Sequence, residues 1–315
     1  MNTDQILHIV QSLMAQPTAP FCEDAVRAEI LQHLAQFPHV SVKIDPFGNV
    51  IAHYQRGDVA PRWILSAHMD HPGFVQDEFL GGVPERYLQK NPPRRSFGAF
   101  DMWDLPAFEV RDGCIYSRAC DDLIGCAAMI AVFSELEHME ADASVFAAFT
   151  CAEEVGLLGA VYLARSACFS KELGILSLET SSERPPAKMH EGVIVRTGDR
   201  SSVFDSVLVS ELVQIASDNR ISHQRCLMSG GTCEATAYRL YGHRVAGVCV
   251  ALGNYHNCGP ADDIAAEYVS VSDVCAMVGL CLAVSLQRAP LDGSEKLRVS
   301  LEVELDQQIH KRNFC

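Results

Sequence analysis

The sequence contains no Cys-x-x-Cys pair, although it has 13 cysteines. That absence argues against a zinc site built from cysteine. An odd number at irregular spacing also argues against a disulfide framework, and a reducing cytoplasm fits better. Several cysteines (Cys126, Cys249, Cys275, Cys281) fall inside apolar stretches, where a free thiol behaves as a small core group. Cys120 and Cys151 lie beside candidate site residues and are read as packing. No apolar run approaches the roughly 20 residues that span a bilayer. The start, Met1-Asn2-Thr3-Asp4-Gln5, lacks the basic segment and apolar core of a secretion leader. A membrane partner is therefore not expected. Positive charge is scarce: Lys+Arg is 25 against Asp+Glu 40, a formal net charge of −15. Such a surface repels phosphate backbones and argues against nucleic acid. It can still attract metal cations and the free amino end of a peptide. Internal repeats and low-complexity segments are absent.

What is present is an ordinary globular composition: 315 residues, 48% hydrophobic and 21% charged. That is enough chain for one large α/β domain with a modest insert. Apolar residues at helical spacing predict helices at 4–15 and 23–36, and again at 123–139, 155–168, 205–218 and 269–286. Residues 40–45 and 50–54 predict a hairpin through the turn Asp45-Pro46-Phe47-Gly48-Asn49. Short apolar runs predict strands at 64–67, 145–150, 174–179, 221–227 and 245–252. Alternating strands and helices predict an α/β fold with a largely parallel sheet. Residues 72–117, rich in glycine and proline, differ in character and predict a small β-rich insert, leaving 1–71 and 118–315 as the main domain. Within that insert Phe97, Phe100, Met102 and Trp103 are expected to be exposed without partners, which predicts a homo-oligomer. After Pro290, the alternation from Leu297 to Leu305 predicts an edge strand followed by a charged end.

The chemistry sits where apolar runs end. His68 and Asp70 follow Trp63–Ala67; Asp121-Asp122 follow Ala119-Cys120; Glu153-Glu154 follow Phe149–Ala152; Glu179 closes Ile175–Leu178; His256 follows Leu252–Tyr255. Parallel strands end side by side, and ligands bind beyond their carboxyl ends, so these groups can converge. Imidazole with carboxylate is the ligand set of an open zinc-type site. Two ions about 3.5–4 Å apart need a bridging carboxylate and terminal ligands on each side. Asp121 is assigned as the bridge, His68 and Glu179 to one ion, Glu154 and His256 to the other. A water or hydroxide would lie between the ions. Asp70 would accept the other ring N–H of His68 and fix its tautomer. Glu153 would take the proton from the water and pass it to the leaving amine. The reaction so described is amide hydrolysis. Each group taken singly has a plainer reading: Asp121-Asp122 as a helix cap, Glu153-Glu154 as a solvated helix start, the histidines as strand-end or loop residues. Glu179 resists one, because a carboxylate closing an apolar strand must be paired or bind a cation.

In this order, His68-x-Asp70, Asp121-Asp122, Glu153-Glu154, Glu179 and His256 resemble the co-catalytic dinuclear zinc peptidases. The sequence is most similar to the tetrahedral (glutamyl or deblocking) aminopeptidases. Asp45–Val50, Glu153-Glu154-Val155-Gly156-Leu157-Leu158-Gly159-Ala160 and Gly230-Gly231-Thr232 add to the likeness, which runs from about residue 5 to 286. The resemblance implies a three-layer α/β/α phosphorylase/hydrolase-like domain with two zinc ions, cobalt and manganese being alternatives. It implies Asp121 as bridge, Glu153 as base, a cis Asp121–Asp122 peptide, and Gly230, Gly231 and Thr232 at the substrate. It also implies an aminopeptidase acting on short peptides. Two departures stand out. The interval from 68 to 121 is too short for the family's full β-barrel insert. Position 179 is Glu, where the resemblance implies Asp for aminopeptidases and Glu more often for carboxypeptidases and N-acyl-amino-acid deacylases. A deacylase, a carboxypeptidase and an inactive metal-binding homologue remain as alternatives.

Overall fold

A computed structural model describes residues 2–183, 185–290 and 295–312. The chain opens with helices α1 (Thr3–Ala15) and α2 (Asp24–Leu34), then strands β1 (Val40–Ile44), β2 (Val50–Arg56) and β3 (Trp63–His68). Next come β4 (Gly73–Val75), β5 (Glu78–Leu80), α3 (Glu85–Leu88), β6 (Arg94–Ser96), β7 (Phe100–Trp103), β8 (Glu109–Arg111) and β9 (Cys114–Ser117). The alternating part follows: α4 (Leu123–His138), β10 (Ala143–Thr150), α5 (Leu158–Ser166), β11 (Gly174–Ser182), β12 (Val193–Arg196), α6 (Ser206–Asp218), β13 (His223–Cys226), α7 (Glu234–Leu240) and β14 (Arg244–Gly253). The last elements are β15 (Glu267–Ser270), α8 (Val271–Leu286) and α9 (Glu295–Arg312).

The large sheet runs β1-β2-β10-β3-β11-β14-β15-β9-β8, with β12 and β13 branching from β14. Its centre, β10-β3-β11-β14, is parallel throughout. These strands are buried on both faces, so they read as unbroken apolar runs rather than alternations. The two faces are distinguishable residue by residue. Ser66 of β3 hydrogen-bonds Glu234 and Tyr238 of α7, while its neighbour Ala67 abuts Gly125 of α4. Side chains alternate across a strand, so α4 and α7 lie on opposite faces. Helices α1, α6 and α8 join α4's layer, and α5 packs with α7. The result is the expected three-layer mixed α/β architecture.

Why these segments form these elements is mostly ordinary. The first helix starts with a capping box between Asn2 and Gln5 and buries Ile6, Ile9, Val10, Leu13 and Met14. Each such side chain contributes about 1.5–3 kcal/mol on burial. Helix α4 is apolar almost all round because the sheet, α1 and α8 enclose it.

Three expectations are corrected. Phe100, Met102 and Trp103 are buried, and Phe97 packs against the main core. Phe74 lies edge-on to Trp103 at 4.7 Å between ring centroids, with Phe79 closing the cluster. A separate sheet, β5-β4-β7-β6, carries the Phe74, Phe79 and Trp103 cluster, while Phe97, Phe100 and Met102 join the main core. Within the same stretch, β8 and β9 pair with the large sheet through β15 instead. Finally, 297–305 is not an edge strand but part of α9. Its apolar residues fit both periods: Leu297, Val299, Leu301, Val303 and Leu305 alternate, while the three leucines also recur every fourth residue. No described helix is long and apolar enough to cross a membrane.

Candidate metal centre

The ends of β3, β10 and β11 bring the first groups together. Thr150 pairs with His68 and Ser177 with Ser66 in parallel register. His68, Ser177 and Glu179 therefore share the face that looks toward α7. Ser177 donates to Glu179 at 3.0 Å. Candidate ligand atoms of His68, Glu153 and Glu179 lie within 4.8 Å of one another, as do those of Asp121, Glu154 and His256. Asp121 faces both groups. Its Oδ1 is 3.5 Å from Nε2 of His68, and its Oδ2 is 3.6 Å from Nε2 of His256. Glu154 Oε1 is 3.1 Å from the same His256 nitrogen.

Four consecutive amides fix the loop that carries the two glutamates. Cys151 N–H donates to Asn49, Ala152 N–H to Glu23, Glu153 N–H to Asp70 Oδ1 at 2.9 Å and Glu154 N–H to Asp70 Oδ2 at 3.1 Å. Asn49 is itself held by Asp45, whose Oδ1 accepts three successive amides of the 45–49 turn. Asp70 therefore does more than was assigned to it. The His68 ring bonds its backbone carbonyl at 3.0 Å, with the carboxylate 3.6 Å from that nitrogen. The carboxylate itself is spent on the Glu153–Glu154 backbone.

Glu267 is the residue that the sequence reading missed. It is fully buried and accepts from the amides of Cys120 (2.8 Å), Asp121 (3.1 Å) and His256 (2.8 Å). One carboxylate thus positions two candidate ligands far apart in sequence. It also supports a strained loop, since Asn254, His256 and Asn257 all have left-handed φ of 53–61°. Such conformations cost non-glycine residues about 1–2 kcal/mol each. His71, noted only as a neighbour, is buried too. Its ring bonds the Asp121 carbonyl at 2.7 Å and Asn257 at 3.1 Å. A signal existed for Glu267: an acid opening the apolar run Tyr268–Val271. The Asp121–Asp122 peptide is cis, and Asp122 caps α4 through Gly125.

Electrostatics in the site are strong. Burial alone would favour neutral His68, but the carboxylates of Glu153, Asp121 and Asp70 outweigh it and hold the imidazolium well above its usual range. His256 is raised likewise, by Glu154 and Asp121 against burial. Burial would raise Asp121, yet the nearby imidazoles of His256 and His68 hold it below the usual carboxylate range. Glu153 is pushed well up, first by burial and then by Glu154, Glu179 and Asp70. Glu179 rises to about 7, chiefly through burial.

A divalent ion fits these residues. Asp121 Oδ1, Glu154 Oε1 and His256 Nε2 are buried atoms without a hydrogen-bond partner. Buried polar groups are normally satisfied; of the ten unpartnered buried side-chain atoms among the described residues, these three belong to the ligand set assigned from the sequence. The groups open onto a cavity of about 530 Å³, whose lining includes Gly230, Gly231, Thr232, Arg196, Arg200 and Tyr255. Arg196 is 3% exposed and its Nε is unbonded.

A profile of the M42 glutamyl aminopeptidases matches residues 96–278, more than half of the chain. The chain belongs to the M42 family. M42 membership makes it a metal-dependent exopeptidase of the aminopeptidase type. Among solved structures, the TET1 peptidase of Pyrococcus horikoshii shares 21% identity at a TM-score of 0.73, covering 90% of this chain and 99% of its own. A TET aminopeptidase from a Thaumarchaeota archaeon shares 18% at 0.77, over 93% and 99%. An aminopeptidase of Desulfurococcus kamchatkensis shares 19% at 0.74, over 91% and 96%. At these identities the likeness concerns the fold.

Proposed function

We propose that this M42 protein removes N-terminal residues from short peptides with the help of two divalent ions, zinc above all. His68, Glu179 and Asp121 would hold one ion, and Glu154, His256 and Asp121 the other. The observation that carries the reading is Asp121, whose two oxygens each face a different histidine. When bound, the ions supply Lewis acidity that polarises the scissile carbonyl and acidifies a water.

The chain's own groups do the rest. Glu153 is the base. Its raised pKa suits a group that takes a proton and returns it to the leaving amine. Asp70 holds that glutamate's backbone in place. Gly230, Gly231 and Thr232 line the wall against which the substrate would lie. Residues 72–117 act as a reduced insert beside this cavity. The free thiols suit a reducing compartment such as the cytoplasm. A structure of PhTET1-12s, 22% identical to this chain at a TM-score of 0.74, is described as a dodecamer, and TET1 as assembling into a tetrahedron or an octahedral shell; we take this chain to be a homo-oligomer as well.

Glu153→Gln tests the mechanism. It is expected to lower kcat by about 10²–10⁴-fold on aminoacyl anilides, while metal analysis still finds two equivalents per chain. Unchanged kcat would remove Glu153 as the base, and one equivalent would remove Asp121 as the bridge. Acetylating the substrate amine is expected to abolish turnover; retained turnover would favour the deacylase alternative that Glu179 keeps open.

A further inference from the structure

Arg196 is a buried cation in the wall of the substrate cavity, and the hydrolysis as proposed leaves it unused. Its guanidinium makes no hydrogen bond or ion pair among the described residues, and its buried Nε has no partner. The two carboxylates whose charge it feels, Glu179 and Asp199, are engaged elsewhere. Asp199 accepts from the amides of Ser201, Ser202 and Cys233 and from the Thr236 hydroxyl. Glu179 accepts from Ser177 and faces His68. A buried charge without a partner is costly. A fold that keeps one in its active cavity points to a ligand that completes it.

The sheet aims this side chain. Arg196 pairs with Gly247 of β14, and Gly247 pairs on its other side with Ser177 of β11. Arg196 therefore shares the face of Ser177 and Glu179. A Cβ at 247 would stand 3.5 Å from Cβ of Arg196 and 3.3 Å from its Cδ. The stem thus crosses β14 over the bare glycine, toward Glu179. Glu153, which passes the proton to the leaving amine, is grouped with Glu179 and His68. The leaving half of the peptide accordingly lies on this side of the site. Resting on the aminopeptidase reading of that site, we propose that Arg196 receives the free C-terminal carboxylate of the leaving residue, so that dipeptides are the preferred substrates. The guanidinium fork matches a carboxylate at two points. In a dipeptide that carboxylate is one Cα away from the new amine, so amine and carboxylate meet Glu153 and Arg196 together. A longer peptide sets a neutral carbonyl there and leaves the cation unpaired. Exposed Arg200, in the same lining, adds positive potential. An acidic side chain on the N-terminal residue belongs to the acyl half, on the far side of the scissile bond.

Calorimetry on the full zinc-loaded chain, in a Glu153→Gln background that suppresses cleavage, is the test. The dipeptide Leu-Ala is expected to bind about 10–100-fold tighter than its amide, Leu-Ala-NH2, the range of hydrogen bonds to a charged group. Adding Arg196→Met is expected to bring that ratio close to one, through weaker binding of Leu-Ala. Methionine fills similar volume, and replacing a buried charge by an apolar group is commonly tolerated; a melting curve checks the fold. Arg196→Lys, which keeps the charge but not the fork, should give an intermediate ratio and reads the same subsite if the methionine variant does not fold. Equal affinities for acid and amide, no binding of Leu-Ala, or a ratio that neither variant moves would each overturn the proposal. So would a loss confined to Glu-Ala-NH2, which would give Arg196 to an acidic side chain instead. Turnover of aminoacyl anilides by the parent chain, which involves no carboxylate, reports separately on the aminopeptidase reading.

Discussion

Glu23 shows what a single buried carboxylate costs and supports. Its Oε1 accepts from Phe21 and from Ala152, one of the four pinned amides from Cys151 to Glu154. Burial, reinforced by Asp70, raises its pKa to about 7. A folded-state pKa above the unfolded value means that the protonated form is the one folding favours. Its stabilising share is complete below about pH 4.5 and is lost as the pH rises through 7. Glu23→Gln keeps the accepting oxygen and removes the titration. The variant is therefore expected to melt closer to or above the parent at pH 8 than at pH 5, by no more than about 3 kcal/mol. Thermal melts of metal-free protein across that range check it; parallel curves would refute it. The same physics decides what was legible. His68, Asp121, Glu154, Glu179 and His256 stood out because charge abutting an apolar run must find a partner. Glu267 and Glu23 obey the same rule, and Glu267 abuts an apolar run, but their partners are backbone amides, which a sequence does not mark.

Among elements, those with a clear period and firm ends were readable. α4, expected at 123–139, spans Leu123–His138, and β3 ends at His68 as expected. The short strands β12 and β15 and helix α7 were not found, because four to seven residues carry too little period to register. The fifth helix, expected from 155, begins at Leu158. Residues 154–156 turn first, which lets Gly159 press into the loop. A Cβ there would stand 2.5 Å from both Asn49 Oδ1 and the Cys151 carbonyl. Gly159→Ala is accordingly expected to cost about 1–3 kcal/mol and to displace the Glu153–Glu154 loop. Denaturant midpoints and kcat should fall together; a neutral outcome would mean that α5 can retreat freely.

For the molecule as a whole, the metal is the largest expected lever on stability. Three orphaned ligand atoms and a cluster of repelling carboxylates make the metal-free state electrostatically expensive. At free metal about a hundredfold above Kd, each site would add about 2.7 kcal/mol. A rise in melting temperature with added Zn²⁺, reversed by a chelator, is expected; no shift with any divalent ion would sink the two-ion reading. Affinity should fall as the pH drops through 7, because Glu179 must lose its proton to bind.

The His256 ring is aimed from outside the large sheet. Its Nδ1 bonds the carbonyl of Gly82, 3.0 Å away, in the loop after β5. The accessory sheet is thus more than decoration. Evolution could prune its later strands, but a version shorn of that loop would let the imidazole spin and offer the wrong nitrogen. The smallest working form of this enzyme is bounded by one peptide oxygen.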